Sequence, residues 1–273
     1  MNRLSPFGPK TVNHYFPELM VMKDRGLQTQ MVIPNCINID DFAHYHYPSR
    51  EESIQAIQKM TASDISADNI NIFALGSVEK RKGVDDVLSA FNYLASNDPK
   101  AHLYFVGHYN KDGDNLTENP KYTKQDVFDK VDAGLRDRVH LLGYVENSKL
   151  REVIKAGDVY VFAYLADNFP GSLIEVGLSK TPIVAVARGG IPEIVRGSCG
   201  RDLCHLITEE ASIDLPKVLS DAIGLALTGD ALSQDLGESL VKKYDTSQTV
   251  DQMLFQYSEV STQKRSATSS LGR

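Results

Sequence analysis

Two acidic residues, Asp167 and Glu175, stand on either side of the predicted start of a short apolar helix, with seven residues between them. They follow an apolar run that begins at Val159 and that has the composition of a buried strand. A loop that joins a strand to a helix, at the carboxyl end of the strand, is where α/β folds bind ligands. Carboxylates accept hydrogen bonds from hydroxyls, and helix N–H groups attract anions, so this arrangement suits a ligand that carries both hydroxyls and phosphates.

Both acids also have a purely structural interpretation. Ser172 and Glu175 are spaced as a capping box, with Ser172 as the N-cap residue and Glu175 at the third helical position. Asp167 fits an Asx turn ahead of the helix. The spacing alone therefore leaves a structural role and a ligand-binding role open for both residues.

The composition is that of an ordinary globular protein. The chain has 273 residues, 24% charged and 42% hydrophobic, with a net charge of −7. No basic stripe is present, which argues against a nucleic-acid partner because phosphate neutralisation needs clustered Lys and Arg. The three cysteines lack metal-ligand spacing, and their odd, sparse number suits a reducing, cytoplasmic location. No apolar run approaches the roughly 20 residues of a membrane helix, although peripheral membrane contact stays open.

Continuous apolar runs alternate with helical patterns from about residue 69 onward. The strand candidates are Ile70–Leu75, His102–Val106, Val139–Leu142, Val159–Phe162 and Ile183–Val186. They do not alternate between apolar and polar residues, as is typical of parallel strands covered on both faces. The helical patterns between them have apolar faces; these faces include Val84 and Leu88, Leu150 and Ile154, and Leu215 and Leu219. This organisation predicts an α/β domain with a doubly wound, Rossmann-like parallel sheet.

Three segments carry a resemblance to a known family. DNFPGSLIE, which begins at Asp167, and GGIPEIV, which begins at Gly189, resemble the donor-site signature of retaining glycosyltransferases with the GT-B fold, family four (glycosyl transferases group 1). PNCINIDDF, at residues 34–42, resembles the junction between the two Rossmann-like domains of that family, with Cys36 where Gly is usual and Asn38 where Asp is usual. The resemblance covers about residues 17–260, and it implies the C-terminal domain of a GT-B fold with most of the N-terminal domain missing.

The resemblance implies a role for each site residue. Asp167 would bind hydroxyls of the transferred sugar and Glu175 the ribose hydroxyls, while the amides that open the helix would bind the diphosphate. The segment 76–83 (GSVEKRKG) resembles the family's phosphate-binding segment, with Lys82 at the usual Lys position and Ser77 where Arg is usual. The implied nucleotide-sugar-binding residues are Gly76, Ser77, Lys82, Tyr144, Val145, Asp167, Phe169, Gly171, Ser172, Leu173 and Glu175, and Lys82 and Asp167 are the implied catalytic residues.

Some features of this site stay open in the sequence. Lys80 and Arg81 are the candidates to replace the missing Arg, but a solvated loop explains them equally. Tyr144 and Val145 would contact the base mainly through backbone, so UDP-, GDP- and ADP-sugars are not distinguished. His108 is a candidate phosphate contact or an incidental histidine. No cofactor and no metal are implied.

The resemblance also divides the chain. Residues 1–48 would be a remnant of an acceptor domain and the interdomain junction, residues 49–260 the nucleotide-sugar-binding domain, and residues 261–273 a disordered tail. The apolar stripe of Val250, Met253, Leu254 and Tyr257 would pack either on its own domain or on the missing one.

These features favour the donor-binding half of a retaining hexosyltransferase in glycan or polysaccharide synthesis. It would transfer a sugar to an acceptor glycan, lipid or small molecule, with a separate N-terminal acceptor half as a partner. The alternative is a non-catalytic nucleotide-sugar-binding or interaction module, or a truncated inactive fragment. A sugar-nucleotide epimerase is a third hypothesis, but it would need different acids and histidines.

Overall fold

The computed structural model describes residues 38–39, 42, 45–61, 63–111, 121–208, 214–229, 231–247, 250–251, 254–255 and 258. Most of the expected acceptor-domain remnant and the expected tail 261–273 lie outside the described residues.

Six parallel strands form one sheet in the described part of the chain. They are β1 (Ile70–Leu75), β2 (Ala101–Val106), β3 (Val139–Gly143), β4 (Val159–Phe162), β5 (Ile183–Val186) and β6 (His205–Ile207). Their spatial order is β3-β2-β1-β4-β5-β6 and every neighbouring pair is parallel. This order confirms the predicted doubly wound, Rossmann-like sheet. The five predicted strands match the observed bounds to within one residue at each end, whereas β6 was not predicted.

Helices cover both faces of the sheet. They are α1 (Arg50–Thr61), α2 (Val84–Asn97), α3 (Lys124–Phe128), α4 (Asn147–Val153), α5 (Gly171–Leu178), α6 (Ile191–Val195), α7 (Leu215–Leu227) and α8 (Leu232–Tyr244). The sequence patterns did not indicate α1 or α8. Of the helices in the described ranges, none is both long and apolar enough to span a membrane.

The core has one layer on each side of the sheet. On one side, α2 and α7 pack together against the strands, with Leu88, Phe91 and Leu219 at the centre of the layer. On the other side, α1 packs on α4 and α5 packs on α8, around Phe73 and Tyr160. Both faces of the strands are therefore dry, which explains why their sequences are continuously apolar.

The C-terminal apolar stripe is partly described. Val250 and Leu254 are helical and expose 44% and 61% of their surface. Met253 and Tyr257 lie outside the described residues, so the choice between the two expected packing partners stays a prediction.

The winding direction reverses between β1 and β4, which are neighbours in the sheet. The chain leaves β1 for α2 on one face and leaves β4 for α5 on the other. The loops that follow these two strands therefore separate and border a crevice at the carboxyl edge, the position at which open α/β sheets bind ligands.

Close backbone contacts hold the loops at this edge. Gly83, which begins α2, has φ of 70°, and a Cβ placed there would lie 1.8 Å from the carbonyl oxygen of Ala163. A Cβ on Gly107, after β2, would lie 2.1 Å from the oxygen of Gly76. Any larger residue would separate the loops, because these neighbours are backbone atoms that cannot rotate away.

We expect Gly83→Ala to lower the free energy of unfolding by about 2–4 kcal/mol, because both the left-handed φ and the contact with Ala163 oppose a Cβ. Chemical denaturation would measure the change. Gly224→Ala, within α7, is the matched control, since a Cβ there meets nothing within 4 Å, and it should be neutral or slightly stabilising. Equal stability of the two variants would contradict the role given to Gly83.

Candidate functional site

A lysine and an aspartate meet across the crevice. Lys82 ends the short turn after β1 and Asp167 lies in the loop after β4, and the Lys82 Nζ to Asp167 Oδ2 distance is 2.5 Å. Their side chains are 15% and 17% exposed, so the ion pair is shielded from water but not sealed. The two residues that the sequence analysis singled out as catalytic candidates are therefore in direct contact.

Tyr164, which the sequence analysis did not single out, connects the parts of this site. Its buried hydroxyl donates to the Leu75 carbonyl at the end of β1 (2.6 Å) and lies 3.3 Å from Ser172 Oγ at the start of α5. The ammonium of Lys82 lies 3.9 Å from the centre of the Tyr164 ring, a cation–π contact. Burial raises the pKa of Tyr164, so its hydroxyl stays protonated and serves as a donor.

The loop after β4 is fixed by the expected Asx turn. The Phe169 N–H donates to Asp167 Oδ1 (3.1 Å), so this amide is occupied and is not available to a phosphate. The Gly190 N–H donates to the Asp167 carbonyl (3.1 Å), and a Cβ on Gly189 would lie 2.0 Å from that carbonyl oxygen. The Gly-Gly turn after β5 is thus a scaffold for the Asp167 loop, as its sequence suggested.

The predicted capping box is wrong. Helix α5 begins at Gly171, with Pro170 as its N-cap residue, and no side chain caps it. Ser172 therefore lies inside the helix, and Pro170 has no N–H from which the Glu175 side chain could accept. Among the described residues, no group accepts from the N–H of Gly171 or Ser172, so both amides are open to an anion.

Glu175 is left without a structural partner by this start of the helix. No donor among the described residues bonds its carboxylate, which is partly buried. Burial raises the pKa of Glu175. The partly buried carboxylate is therefore available to accept a hydrogen bond from a ligand hydroxyl.

Neither Lys80 nor Arg81 is arranged to replace the Arg that is usual at position 77. The Ser77 side chain makes no hydrogen bond in the described part of the chain. Arg81 bonds Glu79 Oε1 (2.8 Å) and the Ala166 carbonyl (3.2 Å), and Lys80 is exposed. Of the three cations in this turn, Lys82 is the one that pairs with Asp167.

Among the other predicted site residues, Tyr144 is exposed and Leu173 is buried. Tyr144 and Val145 follow β3, and the Tyr144 ring, 55% exposed, stacks on His108 with 4.5 Å between ring centres. Leu173 is buried in the core and its N–H donates to Pro170, so it offers neither side chain nor amide to a ligand. Within the described ranges, no cluster of three or more His, Cys, Asp or Glu side chains is arranged to hold a metal ion.

Comparison with known proteins decides the family. The sequence profile of the family Glycosyl transferases group 1 matches residues 69–228, which is more than half of the chain and contains Lys82, Asp167 and Glu175. The chain belongs to this family. The resemblance in the sequence analysis is thereby confirmed at the level of the family.

Two curated relatives show how the chain lies within the family. Mannosylfructose-phosphate synthase of Agrobacterium fabrum is 31% identical over 122 residues, 44% of this chain and 26% of the relative. The phosphatidylinositol N-acetylglucosaminyltransferase GPI3 subunit of Saccharomyces cerevisiae is 25% identical over 232 residues, 84% of this chain and 45% of the relative. The chain thus spans less than half the length of these two relatives.

A solved structure has the same fold. HepE of Anabaena, crystallised in complex with UDP and glucose, superposes with a TM-score of 0.63 at 19% identity. The match covers 88% of this chain and 60% of HepE. At this identity the likeness establishes the fold alone.

In this glycosyltransferase-family chain, Glu193 and Lys243 are two buried ionisable residues that influence each other's pKa. Glu193, in α6, is 4% exposed, and its Oε2 has no hydrogen-bond partner. Burial raises the pKa of Glu193 to about 7, against the opposing effect of Lys243. Burial likewise lowers the pKa of Lys243 to about 8. Lys243 Nζ donates to the carbonyl groups of Glu193, Ile194 and Arg196 at the end of α6.

Glu193 makes stability depend on pH. The pKa of Glu193 in the folded protein lies above the unfolded value of about 4.5. Its contribution to the free energy of unfolding is therefore most favourable below pH 4.5 and is lost as the pH rises through 7. We expect Glu193→Gln to gain stability relative to wild type by about 1–3 kcal/mol between pH 5 and pH 7.5. Thermal or denaturant unfolding across this range would measure it. Glu51→Gln, an exposed carboxylate in α1, is the control, and parallel pH profiles for all three proteins would refute the assignment.

Proposed function

We propose that the crevice binds a nucleotide sugar, with a UDP-sugar as the first candidate, and that the protein forms the donor-binding half of a retaining hexosyltransferase. The observation that carries the proposal is the meeting of Lys82, Asp167 and the open amides of α5 at the carboxyl ends of β1 and β4. Family membership supports it, and UDP is preferred because the similar HepE structure contains UDP and glucose.

The diphosphate would lie between Lys82 and the start of α5. Lys82 supplies a full positive charge, and the Gly171 and Ser172 N–H groups supply donors at the positive end of a helix. In sugar transfer, the bond between the anomeric carbon and the diphosphate oxygen breaks, the acceptor oxygen forms the new bond, and its proton is released. These groups would stabilise the negative charge that grows on the departing nucleoside diphosphate.

The two acids would orient the donor. Asp167 Oδ2 accepts from Lys82, and a phosphate that takes over this lysine would free that carboxylate oxygen for sugar hydroxyls. Glu175 would accept from the ribose hydroxyls, for which its unpartnered carboxylate is suited. The exposed face of Tyr144, next to Val145, would lie against the base.

A complete reaction would need an acceptor site that this chain is proposed to share with an N-terminal half. The acceptor would be a glycan, a lipid or a small molecule, and the protein would work in the cytoplasm, with peripheral membrane contact for a lipid acceptor. The chain's span of less than half of its two relatives motivates this division.

A non-catalytic nucleotide-sugar-binding module is the second candidate function. It is favoured by Ser77, which brings no charge, and by the commitment of Arg81 to Glu79. With Lys82 as the one cation of this turn that pairs with Asp167 among the described residues, the site could hold a donor without activating its departure.

Calorimetric titration with UDP, GDP and ADP tests the proposed donor site. We expect UDP to bind at micromolar strength and Lys82→Ala to weaken it by about 10- to 100-fold, since a charge-assisted hydrogen bond is lost. Glu175→Ala should weaken it by about tenfold or more for the same reason. Lys80→Ala, which removes an exposed cation two residues from Lys82, is the control and should change the affinity by less than twofold.

Two results would contradict the donor site: no nucleotide binding by the folded wild type, or equal affinities in wild type, Lys82→Ala and Glu175→Ala. Transfer from a UDP-sugar in the presence of a supplied acceptor half then distinguishes the two candidates. Transfer that is lost in Lys82→Ala supports the enzyme, whereas tight binding without transfer supports the module.

A further inference from the structure

The ammonium group of Lys82 lies on the face of a buried aromatic ring as well as against Asp167. Its Nζ is 3.9 Å from the centre of the Tyr164 ring, and Tyr164 is only 2% exposed. A cation over an aromatic face is attracted by the ring quadrupole, and the attraction is stronger where water is excluded. Because the Lys82 side chain is itself mostly buried, this contact is largely shielded from water.

The Tyr164 ring is anchored at its hydroxyl. The hydroxyl donates its one proton to the Leu75 carbonyl at the end of β1 (2.6 Å). Ser172 Oγ, 3.3 Å away at the start of α5, is therefore the donor in the second contact of this hydroxyl. The ring also packs edge-on against Phe162, with 5.6 Å between the ring centres. The ring is thus tied both to β1 and to α5, on the two sides of the crevice.

Gly76 leaves the space in which Lys82 reaches this ring. A Cβ placed at Gly76 would lie 3.2 Å from the Tyr164 hydroxyl oxygen, and 3.6 and 3.7 Å from Cε and Cδ of Lys82. The φ of Gly76 is 116°, which residues with side chains rarely adopt. The lysine stem and the tyrosine hydroxyl therefore both lie close to the backbone at the end of β1.

The ring and Asp167 interact with Lys82 in different ways. Asp167 Oδ2 is a hydrogen-bond acceptor 2.5 Å from Nζ, and a phosphate oxygen can take its place. The ring attracts the charge without occupying a phosphate's position, so the two contacts do not compete. A lysine side chain that is already held in place also binds an anion at a lower entropic cost than a mobile one.

We propose that Tyr164 is a positioning residue for Lys82: its ring holds the ammonium at the crevice both when Lys82 pairs with Asp167 and when Lys82 pairs with a nucleotide diphosphate. The inference rests on the proposed function, because it assigns Lys82 to the diphosphate. Tyr164 itself does not contact the nucleotide. Its role is to keep the cation in place while the anionic partner of Lys82 changes.

Tyr160 provides the matched control for a purely structural role of a buried tyrosine. It lies in β4, four residues before Tyr164, and is 1% exposed. Its hydroxyl also donates to a backbone carbonyl, that of Ile154 (2.9 Å). Its ring packs against Phe73, with 5.3 Å between the ring centres, rather than against Lys82. Loss of this ring should therefore lower stability without affecting the nucleotide.

Calorimetry with UDP would compare the folded variants. We expect Tyr164→Leu, which removes the ring, to weaken UDP binding by about three- to tenfold, because the ligand must then immobilise a free lysine. Tyr164→Phe keeps the ring and should restore the affinity to within about twofold of wild type. Tyr160→Leu should also stay within about twofold of wild type, since its ring is remote from Lys82.

A double-mutant cycle shows whether Tyr164 acts through Lys82. In the Lys82→Ala background, Tyr164→Leu should change UDP affinity by less than twofold, because the side chain that the ring positions is already gone. Losses that simply add would show that the tyrosine acts on the site in another way.

Nuclear magnetic resonance gives a readout that needs no change at Tyr164. Protons held over an aromatic face resonate upfield, so the Cε protons of Lys82 should be shifted upfield in protein labelled with ¹³C at lysine Cε. The signal is assigned by its absence from Lys82→Ala. We expect the upfield shift both without UDP and at saturating UDP.

Three results would overturn the inference while the wild type still binds UDP. They are additive losses in the double-mutant cycle, an equal loss in Tyr164→Phe and Tyr164→Leu, and disappearance of the upfield shift when UDP binds. Failure of the folded wild type to bind UDP would instead overturn the proposed function, and this result is distinguishable from the other three.

Discussion

The whole site depends on the point between β1 and β4 at which the chain reverses its winding direction. The two following loops leave to opposite faces of the sheet, and only there can a residue after β1 meet a residue after β4 across a crevice. Gly83 and Gly107 bring the backbones into contact at this edge. Lys82 and Asp167 are placed by that geometry, so the ion pair is a consequence of the strand order as much as of the two side chains.

The crevice brings a cation together with open backbone donors. Lys82 pairs with Asp167 and lies against the Tyr164 ring, which stabilises this mostly buried cation. Among the described residues, no group pairs with the Gly171 and Ser172 N–H groups or with the carboxylate of Glu175. A ligand with phosphates and vicinal hydroxyls would pair all of these groups, whereas an apolar ligand would leave them buried and unsatisfied.

The sequence predicted the strands of the sheet better than it predicted the residues that position the site. Continuous apolar runs in the sequence predicted five strands. Strand β6 has only three residues, which are too few to form a recognisable hydrophobic pattern. The capping box failed because Pro170 became the N-cap residue, and a local motif cannot show where a helix begins when the tertiary structure decides it. Tyr164 was missed because an aromatic residue in an apolar run is typical of the core, and its role comes from contacts with residues far along the chain.

A crystal structure of the protein with UDP tests the central claim most directly. We expect Lys82 to leave Asp167 for the diphosphate, the Gly171 and Ser172 N–H groups to donate to phosphate oxygens, and the ribose hydroxyls to bond Glu175. UDP bound elsewhere on the protein, with Lys82 still paired with Asp167, would refute this arrangement.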